Sequence, residues 1–273
     1  MLNVKVINNL KVDKAIKKVL DLAGIELPKR KKVLIKPNIV VCNAKKPEAV
    51  LTNPSVIEAV CKLLKKNNCK IYVGESSFMD TDVAFNKSGI GKIAKQYGKQ
   101  IIFEQDKLVK IKDSKAKVLK NFQIAKTLKD VDLVVNIPKL KTHQLTKFTG
   151  AIKNLYGCIP GGMKQKLHRK AGNENRFSKL LIDIFQNIKP EINIIDGVIG
   201  MEGKGPTSGN SKKSGVILAS KNAVSLDVVS SKLIGYNPKK ILFLKEAVKR
   251  KLGSFNFDLI GMNKLPNFHF EKP

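Results

Sequence analysis

The chain is poor in the residues that carry several common chemistries. It has no tryptophan and four tyrosines, and aromatic residues make up 6% of its 273 positions, which leaves few platforms for stacking nucleic-acid bases. Arginine, whose planar fork reads bases and phosphates, is confined to Arg30, Arg169, Arg176 and Arg250. The four cysteines, Cys42, Cys61, Cys69 and Cys158, form no CxxC pair and follow no regular spacing. Neither a zinc ribbon nor a ferredoxin-type cluster can be built from such spacing by the usual rules. The three histidines, His143, His168 and His269, include no HExxH arrangement, and Walker A, GxSxG and triad patterns are missing. No apolar run approaches the roughly 18–20 residues of a membrane span. The first twenty residues read as a short strand and an amphipathic helix rather than as a signal peptide, so a cytoplasmic protein without membrane partners is expected.

Lysine is what the chain has in excess. The 52 basic residues outnumber 22 acidic ones for a formal charge of +30, and all but four of the 52 are lysine. Lysine is a hydrated point charge that spreads over any solvated surface, so the total is read mainly as compositional background. Its informative part is the few lysines held by turns. Cys61 falls on the apolar side of a helical pattern and Cys69 just before a strand pattern, which reads as small buried hydrophobes. Cys158, in a glycine-rich stretch, leaves a reactive thiol open.

With 42% hydrophobic residues, 273 positions suffice to bury a core without disulfides. Apolar runs at 33–35, 70–74, 131–135, 192–195 and 216–218 alternate with helical patterns at 54–66, 177–188 and 223–234 and a lysine-rich one at 238–252, and residues 80–98 read as helix broken at 88–91. This pattern predicts an α/β fold over 1–273 as one domain, with a mainly parallel open sheet flanked by helices, large inserted loops, and a polar, basic insert at about 136–176. Gly89-Ile-Gly91-Lys-Ile-Ala94 matches GxGxxA but follows a helix, so it lacks the context of a dinucleotide site. Residues 197–209 read as a flexible glycine-rich loop or lid carrying Glu202.

Ligands of open α/β sheets bind beyond the carboxyl ends of the strands. Four predicted strands run into Lys36-Pro37-Asn38, Gly74-Glu75-Ser76, Asn136-Ile137-Pro138-Lys139 and Asp196-Gly197, polar groups beside rigid turns. The insert adds Lys139, Lys141, His143, Thr149, Lys153 and Asn154, with Lys164 and His168 following. A helix over 146–156 would put Thr149 and Lys153 on one face. Lys36, Lys139, Lys141 and Lys153 are expected to bind an anion, Asn38, Ser76, Asn136 and Asn154 to orient it, His143 or Glu75 to act as acid or base, and Asp196 and Glu202 to serve as further carboxylates or metal ligands.

Those same turns carry a family resemblance. Val33-Leu-Ile-Lys-Pro-Asn38, Thr52-Asn-Pro54, Val73-Gly-Glu-Ser76, Ser88-Gly89, Pro138-Lys-Leu-Lys-Thr-His143, Ala151-Ile-Lys-Asn154 with Gly157, and Asp196-Gly with Glu202-Gly203 resemble the domain-of-unknown-function family numbered 362 over roughly residues 30 to 235. The family is largely uncharacterised, and many members are described as iron–sulfur proteins because they carry an added ferredoxin-like domain. The resemblance therefore implies redox chemistry, with a metal ion or iron–sulfur cluster open as cofactor. This chain has no cysteine after Cys158, so the electrons would come from a separate electron-transfer partner. The expected function is thus an enzyme acting on a small anionic substrate, oxidoreductase-like by that resemblance. The alternative is a nucleic-acid-binding protein using the basic insert 139–170.

Overall fold

The computed structural model of the chain describes residues 3–8, 11–260 and 265–273. Strand β1 (Asn3–Asn8) and helix α1 (Val12–Leu22) precede β2 (Lys32–Lys36), the short turn α2 (Pro47–Val50), α3 (Pro54–Lys66), β3 (Lys70–Glu75), α4 (Thr81–Ser88), α5 (Ile90–Tyr97) and β4 (Lys99–Ile102). A hairpin of β5 (Leu108–Lys112) and β6 (Asn121–Ala125) stands apart as its own sheet, followed by α6 (Thr127–Asp130) and β7 (Leu133–Asn136). The insert contributes β8 (Lys139–His143), β9 (Lys147–Thr149), α7 (Ala151–Asn154), a 3-10 turn over Leu155–Cys158 and α8 (Gly161–Ala171). The chain continues through α9 (Glu174–Ile188), β10 (Ile192–Glu202), β11 (Asn210–Ser220), α10 (Ala223–Leu233), a 3-10 turn over Pro238–Lys240, α11 (Leu242–Lys249) and β12 (Asp258–Ile260).

The main sheet has the order β12-β1-β11-β10-β7-β2-β3-β4, with β8 joined to β10 and β9 to β8. Strands β10, β7, β2, β3 and β4 run parallel, while β11 lies antiparallel between β10 and β1. The fold is therefore α/β with a mainly parallel sheet. Period-two alternation sends neighbouring residues to opposite faces. Leu34, Val134, Ile195 and Leu218 join one core with α9, α10 and α11. Val33, Ile35, Val135, Ile194 and Ile217 join the other with α1, α3 and α5. Both faces are covered, as a parallel sheet requires. No helix of the described residues is long and apolar enough to cross a membrane.

Three expectations are corrected in detail. Residues 197–202 are not loop: β10 continues to Glu202 and pairs with β11, so only the turn at 203–209 separates the two strands. Gly197 belongs in that strand because a Cβ there would come within 2.7 Å of Val216. The lysine-rich helix over 238–252 divides into a 3-10 turn and α11. The helix expected over 146–156 starts only at Ala151, since Lys147–Thr149 pairs with β8 as β9. Its start is set by Asp227 of α10, whose carboxylate accepts from the backbone N–H of Ala151 at 2.6 Å and of Ile152 at 2.9 Å. Burial pushes the Asp227 carboxyl up to about 7, against the pull of those two donors. Gly150 makes the approach feasible, for a Cβ there would lie 2.1 Å from Asp227 Oδ1.

This contact places α7, which carries Lys153 and Asn154. Asp227→Ala strands two buried donors, and a loss of about 2 kcal/mol is expected from the urea midpoint.

Candidate functional site

The turns after β2 and β3 are tied through one carboxylate. Lys36, the last residue of β2, donates from Nζ to Glu75 Oε2 at 2.7 Å and to the Pro37 carbonyl at 2.8 Å. The Ile39 N–H donates to the same carboxylate oxygen at 3.0 Å, and the Ser76 N–H to Oε1 at 2.9 Å. Both charged side chains are buried. Gly157 closes over them, and a Cβ there would stand 2.4 Å from Glu75 Oε1 and 2.8 Å from Lys36 Nζ.

Beside this pair runs a relay of amides. Lys141 Nζ donates to Asn38 Oδ1 at 2.7 Å, Asn38 Nδ2 to Asn154 Oδ1 at 2.9 Å, Asn154 Nδ2 to Asn136 Oδ1 at 2.8 Å, and Asn136 Nδ2 to Asn193 Oδ1 at 3.0 Å. Each amide's donor end is spent on the next acceptor, which fixes every flip along the row. The relay joins the ends of β2, β7 and β10 to α7.

A cavity of about 190 Å³ opens against these groups. Of the residues singled out from the sequence, Lys36, Asn38, Glu75, Ser76, Lys141, His143, Lys153 and Asn154 line it. The other four do not. Lys139 and Asp196 form a fully buried ion pair at 2.9 Å, and Asp196 also accepts from the N–H of Asn53 at 2.7 Å, where α3 begins, and from that of Val198 at 3.1 Å. Asn136 sits beneath the cavity within the relay. Glu202 lies at the far end of β10, where it accepts from the Glu271 N–H at 3.0 Å and pairs with Lys212 at 3.2 Å. These four hold strands and loops in place.

Thr149, Lys164 and His168 also line it, with Tyr156 and Phe177. Lys164 and His168, four apart on α8, look the same way, a spacing visible in the sequence. Lys164 Nζ donates to the Ser76 carbonyl, to Ser76 Oγ at 3.0 Å and to the Ser77 carbonyl at 3.0 Å. The Thr149 hydroxyl is buried and has no hydrogen-bond partner among the described residues.

The electrostatics are lopsided. Among the described residues Glu75 is the one carboxylate lining the cavity, and Lys36 occupies it. Lys141 has only neutral acceptors: Asn38, the Val50 carbonyl at 2.8 Å and, at 3.4 Å, the Pro206 carbonyl. Burial first, then the charges of Lys153 and Lys139, hold its amine well below the usual lysine range. Burial brings Lys153 down to about 8; it does the same to Lys164, where Glu75 opposes the shift. His143 is kept neutral by burial and by the positive charge of Lys153 and Lys141. Its Nδ1 accepts from the N–H groups of Leu145 at 3.1 Å and Thr146 at 3.2 Å, so the ring proton resides on Nε2. His143 thus offers a hydrogen-bond donor rather than a free base.

The cysteines do not fit an iron–sulfur cluster. Cys61 and Cys69 lie in the core around α3 and Cys158 in the opposite core. Burial pushes the thiols of Cys61 and Cys158 up to about 12, away from the thiolate a metal needs. Among the described residues no group of three or more His, Cys, Asp or Glu could hold a metal ion. A larger open groove, about 900 Å³ between α9 and α11, has its Arg250 spent on Asp183 at 2.6 Å and Glu246 at 2.7 Å.

The cavity lining falls within residues 36–206, and residues 33–232 match the model of the family described as Domain of unknown function (DUF362). The chain belongs to this family. It is similar to a thylakoid-associated protein of Synechocystis sp., with 31% identity over 225 residues, or 81% of this chain and 68% of that protein. Among solved structures it is similar to the lactate racemase apoprotein from Thermoanaerobacterium thermosaccharolyticum, with a TM-score of 0.50 and 14% identity over 83% of this chain. The chain spans 57% of that structure's length, and the likeness is one of fold. The thylakoid association of the Synechocystis protein gives the cytoplasmic expectation no support.

The Lys139–Asp196 pair should behave as an internal brace. Asp196→Ala leaves a buried cation alone and is expected to cost about 4 kcal/mol. The double variant Lys139→Met with Asp196→Leu recovers most of that loss in the same denaturation experiment.

Proposed function

We propose that this protein is an enzyme that binds a small anion in the cavity at the carboxyl ends of β2 and β3. One observation carries the reading: Lys141, Lys153 and Lys164 face a common space without a carboxylate partner, while the single carboxylate there is taken by Lys36. Cations buried or half-buried without a counter-charge cost stability, and an anionic ligand removes that cost. The unpartnered Thr149 hydroxyl and the Nε2–H of His143 supply neutral hydrogen bonds, and Tyr156 and Phe177 an apolar wall. At about 190 Å³ the space lies below the roughly 300 Å³ at which drug-sized sites begin, so it suits an anion of a few heavy atoms rather than a polymer. The racemase likeness, at 14% identity, supports the fold and supplies no substrate.

Sulfate tests this directly because its charge does not titrate near neutrality. At pH 7 sulfate should raise the melting temperature above that in chloride of equal ionic strength. The gain should fade as pH rises through about 8, where Lys153 and Lys164 lose their protons. The ligand-free protein should move the other way. Unfolded lysines hold protons to about 10.4, so between about 8 and that value the unfolded chain binds more protons and stability rises with pH. Lys153→Met should melt higher than the parent without ligand and bind sulfate about tenfold more weakly, about 1.4 kcal/mol. Equal responses to sulfate and chloride in parent and variant would sink the proposal.

A further inference from the structure

Among the described residues four lysines line the cavity, and they are not equivalent. Lys36 is bound to Glu75 and the Pro37 carbonyl, Lys141 has three acceptors, and Lys164 has three. Lys153 is half-buried, projects from the single turn α7, and makes no hydrogen bond or ion pair with any described residue. An amine committed to two or three acceptors has its protons held in place and its lone pair blocked. An amine with none can shed its proton at little cost and attack.

The groups around Lys153 suit such an attack. Lys141 and Lys164, both tied down, can hold the anionic end of a ligand without moving. His143 cannot accept a proton at Nδ1, because Leu145 and Thr146 donate there, but its Nε2–H can polarise an electrophile. Thr149, four residues before Lys153, adds a hydroxyl with no partner. The set combines a free amine, neutral donors and fixed cations, which matches a carbonyl group that carries an acidic substituent.

We propose that Lys153 forms an imine with a small anionic carbonyl compound of the 2-oxo acid type. This rests on the anion-binding reading of the same cavity. The Lys153 nitrogen lone pair attacks the carbonyl carbon, the C–N bond forms, and the carbonyl π pair moves to oxygen, which accepts a hydrogen bond from His143 and takes one of the two protons left on the nitrogen. The carbinolamine hydroxyl then departs with the remaining N–H proton as water, and the nitrogen electron pair closes the C=N bond. No oxidant or reductant is consumed. Burial brings the Lys153 amine to about 8, so a useful fraction is neutral near pH 7.5. Lys141 and His143 from β8, Lys164 and His168 from α8, Tyr156, and the Lys36–Glu75 pair are the titratable groups that line the same cavity.

Pyruvate with sodium borohydride tests the step on the intact chain, since borohydride reduces an imine to a stable secondary amine that peptide mass spectrometry can locate. One fast-forming adduct at Lys153 is expected, with a rate that rises with pH around a midpoint near 8, ahead of slow labelling of surface lysines. Lys153→Arg keeps the cation and removes the nucleophile. It should retain sulfate stabilisation and lose the fast adduct. Labelling spread over exposed lysines, with Lys153 unmodified, overturns the imine. If sulfate still stabilises the parent in that case, the anion site stands without it. If sulfate fails as well, both readings fall.

Discussion

The Glu75 carboxylate is the point on which the site's geometry depends. Its two oxygens take the Lys36 ammonium and the backbone N–H groups of Ile39 and Ser76, so two strand ends and both following turns converge on a single anion. A buried pair of this kind is tolerable only when its remaining lone pairs and protons are also used. Here the Pro37 carbonyl takes a second Lys36 proton. Gly157 must lack a side chain for the insert to close over the pair, which couples the insert's position to the sheet. Breaking the pair would release the turn that aims Asn38 and the turn that aims Ser76 together, because they share the anchor.

From that anchor the amide relay carries position sideways. Asn38, Asn154, Asn136 and Asn193 are each held by a neighbour on either side, a chain of neutral bonds that fixes direction without adding charge. Neutral amides suit this place. With several ammonium groups facing one cavity, a carboxylate in the relay would neutralise the field meant for a ligand, and another cation would add to the repulsion from Lys153 and Lys139, which together with the larger effect of burial holds the Lys141 amine well below its ordinary range. The negative groups that stabilise the scaffold, Asp196 and Asp227, are set outside the cavity, one at the start of α3 and the other at the start of α7.

The sequence showed the sheet and its turns well because those signals are local. Asn53 ahead of Pro54 caps α3 through the Ser55 N–H, and Gly89, at φ +74, separates α4 from α5 where Ser88-Gly89 predicted a break. Lys36, Glu75 and His143 come together because each closes a strand, and a strand end is also a place where the chain turns. What stayed hidden was pairing across the chain. Lys139 and Lys141 stand two apart on β8 and look alike in the sequence, yet one meets Asp196 and the other does not, since only β10's register decides it. The strand β8 read as part of a polar insert, because Lys-Leu-Lys-Thr-His buries charged residues where the usual alternation would bury apolar ones, and β9 fell inside the helix expected over 146–156. Glu202 looked available only because β10 runs further than its apolar segment.

Burial separates the informative charges from the rest. A surface lysine is hydrated and costs the fold almost nothing, so most of the +30 says little about chemistry. A lysine buried without a carboxylate lowers stability, and a chain with 22 acidic residues could have neutralised these positions cheaply, as it did at Lys36 and Lys139. Lys141 and Lys164 are instead satisfied by carbonyls and a hydroxyl, which hold an ammonium in place without cancelling its charge. Lys153 lacks even those. The gradation from paired, to held, to free runs across one cavity, and a fold that needed only packing at these positions would be more stable with apolar side chains there.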